Sequence, residues 1–324
     1  MPLAIVCREL GPPEILKFET VASAPLAAGQ ARVAIHAAGI NFPDILMVAG
    51  QYQFKPEPPF TPGVEAAGEV IEMRDAPGVN VGDRVIVKAR LGCYADEMVV
   101  DAGQLSPLPP AFDYAQGATF LAAHGTAWHA LADRAQLRAG ETLLVHGAGG
   151  GVGLAAVELG KVMGATVIAA ASSEEKLAVA KQRGADHVIL YEREPFRDAV
   201  KRITDGKGAD VIFDPVGGEI FEQSLRCMAW GARVLVIGFT GGIGLARTNL
   251  VLIKGASVLG VRAGEAVRKN PSLGVARMAA LDKLAAEGKV SPNISHRMPL
   301  ADVAPAMRLL TERKAIGRVV LLAR

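Results

Sequence analysis

The sequence is poor in cysteine and in net charge, and each scarcity excludes a class of protein. Its three cysteines, Cys7, Cys93 and Cys227, lie far apart and form no C-x-x-C pair, which argues against a disulfide framework or a structural zinc site. The net charge of +2 gives no electrostatic reason to expect nucleic acid or an acidic membrane surface as a partner. With 324 residues, of which 50% are hydrophobic and 21% are charged, the sequence fits a two-domain α/β enzyme.

Long apolar runs are also missing. Residues 117–132 are apolar-rich but contain His124, Gly125 and His129, and the stretch is too short and too polar to cross a bilayer. The first nine residues lack the basic region and apolar core of a signal peptide. We therefore predict a cytoplasmic protein that does not insert into a membrane.

Glycine, by contrast, is abundant, and one glycine cluster is the most informative part of the chain. Residues 142–160 read TLLVHGAGGGVGLAAVELG, an apolar strand pattern followed by glycines and then a helical pattern. A pyrophosphate binds to backbone N–H groups at a helix N-terminus, and glycine lets the backbone approach closely. The spacing Gly147-x-x-Gly150-x-x-Gly153 in this context predicts dinucleotide binding.

Strand and helix patterns continue to alternate after this cluster. Helices are predicted near residues 174–183 and 219–228, and strands at residues 165–171, 186–190, 210–214, 233–238 and 257–261. This alternation predicts an α/β fold with a Rossmann-type doubly wound parallel sheet.

The end of the second predicted strand bears on the choice of cofactor. NAD sites usually place a carboxylate there for the ribose 2′-hydroxyl, but this chain has Ala171-Ser172-Ser173. Small hydroxyls, a helix N-terminus and Lys176 suit a 2′-phosphate instead. Glu174 and Glu175 lie close by, so NADH stays open; as acids of a first helical turn they can also point to solvent. We predict NADPH as the cofactor.

The first 118 residues show short strands with many turns. Strands are predicted at residues 31–37, 68–72 and 83–87, which suggests a small barrel-like, all-β fold. A stiff, proline-rich stretch at residues 55–63 lies between the first two of these strands. It is either a simple surface connection or a wall of the cleft between domains.

Several motifs together resemble the medium-chain dehydrogenase/reductase superfamily, and within it the zinc-free quinone oxidoreductases. They are AGINFPD at residues 38–44, GVEAAG at 63–68, GDRV at 82–85, GTAWHAL at 125–131, GADH at 184–187 and the glycine loop. The resemblance covers nearly the whole chain. It implies a mostly-β GroES-like catalytic domain, residues 1–122 and 262–324, around a Rossmann dinucleotide-binding domain, residues 123–261.

Zinc-dependent relatives carry a ligating Cys where this chain has Ala38 and a ligating His where it has Val64, and they have a four-cysteine lobe that is missing here. The resemblance therefore implies no metal. Alcohol oxidation relies on a metal to ionise the alcohol, so reduction of an electrophilic acceptor is favoured. The prediction is an NADPH-dependent, zinc-independent quinone oxidoreductase. Alternatives are a reductase of enoyl-thioester or alkenal double bonds, or a non-enzymatic NADPH-binding protein.

The resemblance also implies a set of cofactor contacts. Gly150, Gly151 and Val152 would bind the pyrophosphate through their backbone, and Asn41 and Thr126 would contact the nicotinamide or its ribose. The turn after the fifth strand of such folds binds the nicotinamide end. The candidates there are Gly238 and Phe239, and those around the 2′-phosphate are Ser172, Lys176, Tyr191 and Arg318. Tyr191 could instead be a ring packed at a strand end, and Arg318 a surface strand residue.

Tyr52 is the main catalytic candidate, beside Asn41. The segment Gly50-Gln-Tyr52 resembles one that presents a proton-donating tyrosine in enoyl-thioester reductases, although Tyr52 could also simply line the pocket. Asp44 is interpreted as structural, tying the loop of Asn41. The sixth strand would lie at a sheet edge, and by resemblance this edge would pair with a second copy to form a homodimer.

Overall fold

Two structural units divide the chain in the computed structural model, which describes residues 1–324. The first unit is Met1–Ala122 together with Pro292–Arg324, and the second is Ala123–Ser291. The chain therefore passes from one unit to the other at residues 122/123 and again at residues 291/292.

The first unit is built on a mostly antiparallel, seven-stranded sheet. Its strands are β3 (Gln30–Gly39), β4 (Glu65–Arg74), β5 (Arg84–Lys88), β6 (Glu97–Asp101), β7 (Leu105–Pro107), β14 (Ile294–Pro299) and β15 (Arg318–Leu322). They run in the order β14-β15-β3-β4-β5-β7, with β6 paired to β3. Strands β1 (Leu3–Val6) and β2 (Lys17–Thr20) form a separate antiparallel pair. The long central strand β3 has three neighbours, because β6 pairs with its first residues and β15 with its last ones, while β4 pairs along most of its length.

Helices at the edges of this sheet complete the first unit. They are α1 (Phe42–Val48), α2 (Tyr114–Gly117), the beginning of α3 (Phe120–Trp128) and α11 (Val303–Thr311). Val303, Ala306 and Met307 are buried, at the spacing of one helix face, and pack into the core beneath the sheet. Helix α1 departs from the all-β pattern expected before residue 118, because the Asp44 carboxylate accepts the Asn41 N–H and starts a helical turn.

The second unit contains a six-stranded parallel sheet. Its strands are β8 (Thr142–Val145), β9 (Thr166–Ala171), β10 (His187–Leu190), β11 (Ala209–Asp214), β12 (Met228–Val236) and β13 (Ser257–Gly260), in the order β10-β9-β8-β11-β12-β13. The order reverses between β8 and β11, which is where doubly wound sheets bind ligands. The α/β class and the doubly wound sheet are as predicted.

Helices cover both faces of this sheet. They are α4 (Gly151–Val162), α5 (Glu174–Gln182), α6 (Phe196–Ile203), α7 (Gly218–Ser224), α8 (Thr248–Ile253), α9 (Ala263–Lys269) and α10 (Pro271–Ala286). A π-helical turn, His129–Arg134, follows α3. Nowhere in the chain does a helix combine the length and the apolar character needed to cross a bilayer.

The second domain boundary differs from the sequence-based one. Residues 262–291 were assigned to the catalytic domain, but α9 and α10 belong to the second unit. The reason is a buried polar contact: Arg277 on α10 is 5% exposed and its guanidinium lies 3.3 Å from the Asp133 carboxylate. That carboxylate also binds His129 Nδ1 at 2.7 Å, so α10 is tied to the π-helical turn. The chain returns to the first unit only at Pro292.

Candidate functional site

The glycine loop between β8 and α4 lies tightly against the start of the helix. His146 N–H bonds to the Phe213 carbonyl and Ala148 N–H to the Ala170 carbonyl, which anchors the loop to both neighbouring strands. A Cβ on Gly153 would lie 2.3 Å from the Gly147 carbonyl oxygen. Only glycine at this position permits the loop to approach the helix so closely.

Backbone N–H groups at the start of α4 are available to an anion. Gly151 and Val152 occupy the first two helical positions, where the helix itself provides no acceptor. The Gly150 N–H, in contrast, bonds to the Gly147 carbonyl at 2.9 Å. Of the three residues predicted to bind the pyrophosphate, Gly151 and Val152 have the freer donors, and Gly150 shapes the turn.

A buried polar network supports the loop from below. His146 Nδ1 lies 2.9 Å from the Tyr191 hydroxyl, and Nε2 lies 2.8 Å from Ser224 Oγ, which itself donates to the Ile220 carbonyl. Burial lowers the pKa of His146 to about 3, so the ring is neutral. A neutral ring protonated at Nε2 donates to Ser224 and accepts from Tyr191.

Tyr191, predicted to contact a 2′-phosphate, belongs to this network. Its hydroxyl oxygen accepts the Gly147 N–H at 3.3 Å while the hydroxyl meets His146, and burial raises its pKa. Phe196 packs against the Tyr191 ring at 6.0 Å between centroids. The hydroxyl that was expected to contact a 2′-phosphate is used to hold the glycine loop.

Ser172 and Lys176 come together at the end of β9, next to the glycine loop. Ser173 caps α5, its hydroxyl accepting the Lys176 N–H at 3.4 Å, and the Lys176 ammonium lies 3.4 Å from Ser172 Oγ. A Cβ on Gly149 would lie 2.5 Å from Lys176 Cβ, so the lysine stem passes directly over the loop. The structure thus brings these two predicted residues to one edge of the loop.

The turn that contains Gly238 and Phe239 is held by the end of the neighbouring strand β11. The Asp214 carboxylate accepts the N–H groups of Val216 and Gly217 at 2.8 and 2.9 Å. The next residues of the turn bond back to the same segment, Gly241 N–H to the Val216 carbonyl at 2.7 Å. Phe239 is 51% exposed on this turn. Thr126 lies half-buried on α3.

In the first unit, Asn41 and Arg318 meet in a buried cluster with Glu65. The Arg318 guanidinium forms a salt bridge with the Glu65 carboxylate and donates to Asn41 Oδ1 at 2.8 Å. Asn41 Nδ2 donates to the Gly39 carbonyl and to Glu65, and the Ala122 N–H donates to the second Glu65 oxygen at 2.9 Å.

This cluster bears on two predicted ligand contacts. Arg318 is 7% exposed and its charge is balanced by Glu65, so it is neither a surface residue nor an available phosphate ligand. Asn41 is 5% exposed, its amide donates both hydrogens within the unit, and its Oδ1 accepts from Arg318. The Asn41 side chain also takes part in the capping box of α1.

Asp44 ties the same loop from the other side, as interpreted from the sequence. Its carboxylate accepts the Tyr94 hydroxyl at 2.7 Å and the Asn41 N–H at 2.9 Å, and the second oxygen has no partner. Burial raises the pKa of Asp44 to about 7. Tyr52, the catalytic candidate, lies in the irregular segment after α1, half-buried, and its hydroxyl forms no hydrogen bond within the chain.

Three functional candidates were missed by the sequence analysis. Glu65 follows an ordinary strand pattern and shows no sign of its partner 253 residues away. Asp214 ends a strand, a position that does suggest a loop-organising role. Arg193 lies two residues after Tyr191 and forms a 2.6 Å ion pair with Glu174 at the edge of the cofactor loop.

Comparisons with known proteins agree with this geometry. A family model described as zinc-binding dehydrogenase matches residues 151–279, and one described as alcohol dehydrogenase GroES-like domain matches residues 27–110. The chain is 39% identical over 325 residues to a quinone oxidoreductase-like protein 2 homolog of Nematostella vectensis, covering 98% of this chain and 88% of the relative. It is 30% identical to quinone oxidoreductase of Homo sapiens, covering 97% and 95%.

A solved structure shares the fold over nearly the full length. The quinone oxidoreductase of Escherichia coli, in complex with NADPH, superposes with a TM-score of 0.91 at 28% identity, covering 99% of both chains.

The zinc named by one family model does not fit the residues present. No three His, Cys, Asp or Glu side chains of this chain come together in a group able to hold a metal ion. Ala38, in the place of a ligating cysteine, is a buried residue of β3. Cys93 is also buried, and it does not belong to any such group.

Proposed function

The chain belongs to the quinone oxidoreductases of the medium-chain dehydrogenase/reductase superfamily, and we propose that it reduces quinones with NADPH and without a metal. The observation that carries this proposal is the glycine loop with Lys176 across it. Its close backbone packing leaves N–H donors for a pyrophosphate, and an ammonium group stands beside Ser172 for a 2′-phosphate.

The chain's own residues bind and orient the cofactor in this proposal. The N–H groups of Gly151 and Val152 bind the pyrophosphate, and Lys176 and Ser172 bind the 2′-phosphate. Contacts to the nicotinamide half come from Thr126, Gly238, Phe239 and Asn41. The Escherichia coli relative of the same fold is complexed with NADPH, which supports this choice of cofactor.

The bound cofactor supplies a hydride, and the protein positions the acceptor and excludes water. A quinone is already electrophilic and accepts the hydride at a conjugated position, with charge spreading onto oxygen. No Lewis acid is required for this step, which agrees with a donor set that does not fit zinc. Tyr52 is the candidate that delivers a proton to the reduced acceptor.

The test is consumption of NADPH with a benzoquinone, a naphthoquinone, an alkenal and an enoyl-CoA, each with and without EDTA. We expect turnover that is selective for quinones and indifferent to EDTA. Lys176→Ala should weaken binding of NADPH and leave NADH nearly unchanged, with Lys181→Ala on the same helix as the control. Activity that EDTA abolishes would refute metal independence.

A second candidate function is reduction of an alkenal or enoyl-thioester double bond. The observation that favours it is the Tyr52 hydroxyl, which has no partner within the chain and is therefore available to protonate carbon. Preference for the alkenal or thioester, with loss of turnover in Tyr52→Phe, would establish this function in place of the first. Tight NADPH binding without turnover of any acceptor would instead indicate a non-enzymatic role.

We further propose that the protein is a cytoplasmic homodimer that pairs through the edge of the parallel sheet. Strand β13 is the last strand of that sheet, and exposed apolar side chains lie near it on the second unit, Trp230 (78% exposed), Leu252 (79%) and Ile253 (64%). Sedimentation at micromolar concentration should give a dimer, and Leu252→Asp should give monomers. A monomeric unchanged protein would refute the proposal.

A further inference from the structure

An exposed ion pair borders the edge of the loop assigned to the cofactor. Arg193 donates to the Glu174 carboxylate at 2.6 Å, and the two side chains are 72% and 61% exposed. Glu174 is the first residue of α5, directly after Ser172 and Ser173. Arg193 lies in the turn after β10.

The strand register fixes this neighbourhood. Strand β10 pairs in parallel with β9 so that Leu190 lies opposite Ala171, and the Tyr191 N–H bonds to the Ala171 carbonyl at 3.1 Å. The residues that follow the two strands therefore emerge side by side. Lys176 lies against the glycine loop and contacts Ser172. Arg193, from the turn after β10, lies beside the same Ser172–Ser173 turn through its contact with Glu174.

Arg193 also borders open space. It lines a cavity of about 340 Å³, whose other lining residues include Tyr191, Phe196 and the two acidic residues Glu192 and Glu194. The guanidinium is thus held at the surface by one exposed carboxylate, with room beside it for part of a ligand.

The ion pair is easily exchanged. Exposed pairs of this kind change an equilibrium by about fivefold or less, because water solvates both partners well. A hydrogen bond between a guanidinium and a phosphate dianion is worth about tenfold or more, and the planar donor group suits phosphate oxygens. A 2′-phosphate would therefore displace Glu174 from Arg193, whereas a 2′-hydroxyl would not.

We propose that Arg193 and Glu174 form a pair that sets the preference between NADPH and NADH, an inference that rests on the proposed function. Arg193 is the second cation of the 2′-phosphate site, beside Lys176, and takes the place that the sequence analysis gave to Arg318. Glu174 holds Arg193 when no phosphate is present and offers its carboxylate to the 2′-hydroxyl of NADH. The two residues act in opposite directions on the ratio of the affinities for NADPH and NADH.

The experiment measures binding rather than turnover. Dissociation constants for NADPH and NADH are measured by nicotinamide fluorescence, and those for adenosine 2′,5′-bisphosphate and AMP by calorimetry, all at one ionic strength. The variants are Arg193→Ala and Glu174→Gln. The control is Arg197→Ala, which removes an arginine that is 39% exposed and pairs with Asp198 on α6.

Arg193→Ala should weaken the binding of NADPH and of adenosine 2′,5′-bisphosphate by about tenfold. It should leave the dissociation constants of NADH and AMP within about twofold of those of the unchanged protein. Glu174→Gln should tighten the binding of NADPH by a few-fold and weaken the binding of NADH. Arg197→Ala should leave the dissociation constants of all four ligands unchanged. Equal losses for phosphorylated and unphosphorylated ligands in Arg193→Ala, or no loss, would overturn the inference alone. If the unchanged protein binds neither cofactor, the proposed function fails and this inference fails with it.

Discussion

The buried pair Glu65–Arg318 offers the sharpest test of how the first unit is held together. We consider the change Glu65→Gln, which keeps the shape of the side chain and removes its charge. In the structure this carboxylate accepts from Arg318, from Asn41 and from the Ala122 N–H, and its side chain is 1% exposed. The amide would leave the arginine charge in the interior without a counter-ion.

The magnitude follows from burial. Removing one partner of a buried ion pair costs about 3–5 kcal/mol, because the remaining charge has lost both its partner and its hydration. The glutamine retains one oxygen acceptor, so we expect the free energy of unfolding to fall by about 3 kcal/mol. The control is Glu72→Gln on the same strand β4, where the carboxylate is 56% exposed and lies 2.8 Å from the Arg32 guanidinium. Exposed pairs contribute about 0–1 kcal/mol, and the control should fall within that range.

The assay is urea denaturation followed by far-ultraviolet circular dichroism. Both tryptophans, Trp128 and Trp230, belong to the second unit, so tryptophan fluorescence would report mainly on the other half of the protein. Circular dichroism reports on both units and would show whether the first unit unfolds separately.

A double-mutant cycle then decides whether the cost comes from the pair itself. Arg318→Met removes the charge that Glu65→Gln would strand, so the double variant should cost at least about 2 kcal/mol less than the sum of the two single variants. Additive single costs would refute the reasoning, since they would mean that the two side chains stabilise the unit independently. A loss in Glu72→Gln equal to that in Glu65→Gln would refute the argument from burial.

Three further predictions follow from the same structure. Folding raises the pKa of Asp44 from 3.8 to about 7, so the unchanged protein should lose about 4 kcal/mol of stability between pH ~4 and ~8, as this buried acid is forced to ionise. Asp44→Asn has no such acid and should therefore gain stability relative to the unchanged protein as pH rises. Urea midpoints of the two proteins that run parallel over this range would contradict the prediction. Tyr191→Phe should weaken NADPH and NADH by the same factor in a binding titration, because the hydroxyl holds the loop; a loss confined to NADPH would restore the phosphate-contact interpretation. Gly153→Ala should lower both the melting temperature and the affinity for the cofactor. The control Gly150→Ala should keep the melting temperature, because its Cβ would lie 3.4 Å from the nearest atom. Equal melting temperatures for the two variants would refute the close-packing argument.

Much of the fold could be predicted from the sequence because its signals are local. The pattern from residue 142 to residue 160 places an apolar strand, a glycine turn and a helix in one continuous stretch, and the structure has β8 and α4 there. The other parallel strands also lie within a few residues of their predicted ranges, since buried β-branched runs are distinctive. Ser172 and Lys176 meet because the end of a strand and the first turn of the next helix are always close.

The errors arise where a side chain's partner is distant in sequence. Arg318 reads as a cation on a terminal strand, but it is buried by a contact with Glu65 on β4, which no local pattern reveals. The predicted boundary at residue 262 differs from the structural division at residues 291/292 for the same reason, because the contact between Arg277 and Asp133 spans 144 residues. Polar side chains that serve the fold and those that serve a ligand look alike until their partners are known.

The support of the glycine loop explains where specificity for the cofactor can reside. Neutral His146, with Tyr191 and Ser224, fills the space under the loop, and the Tyr191 hydroxyl satisfies the Gly147 N–H. The loop itself offers backbone N–H groups, which every dinucleotide can use equally. Under the proposed function, discrimination between NADPH and NADH would therefore come from side chains at the rim, where β9 and β10 end. That rim carries Lys176, Glu174 and Arg193, and a change of one charge among them should alter the preference without altering the loop.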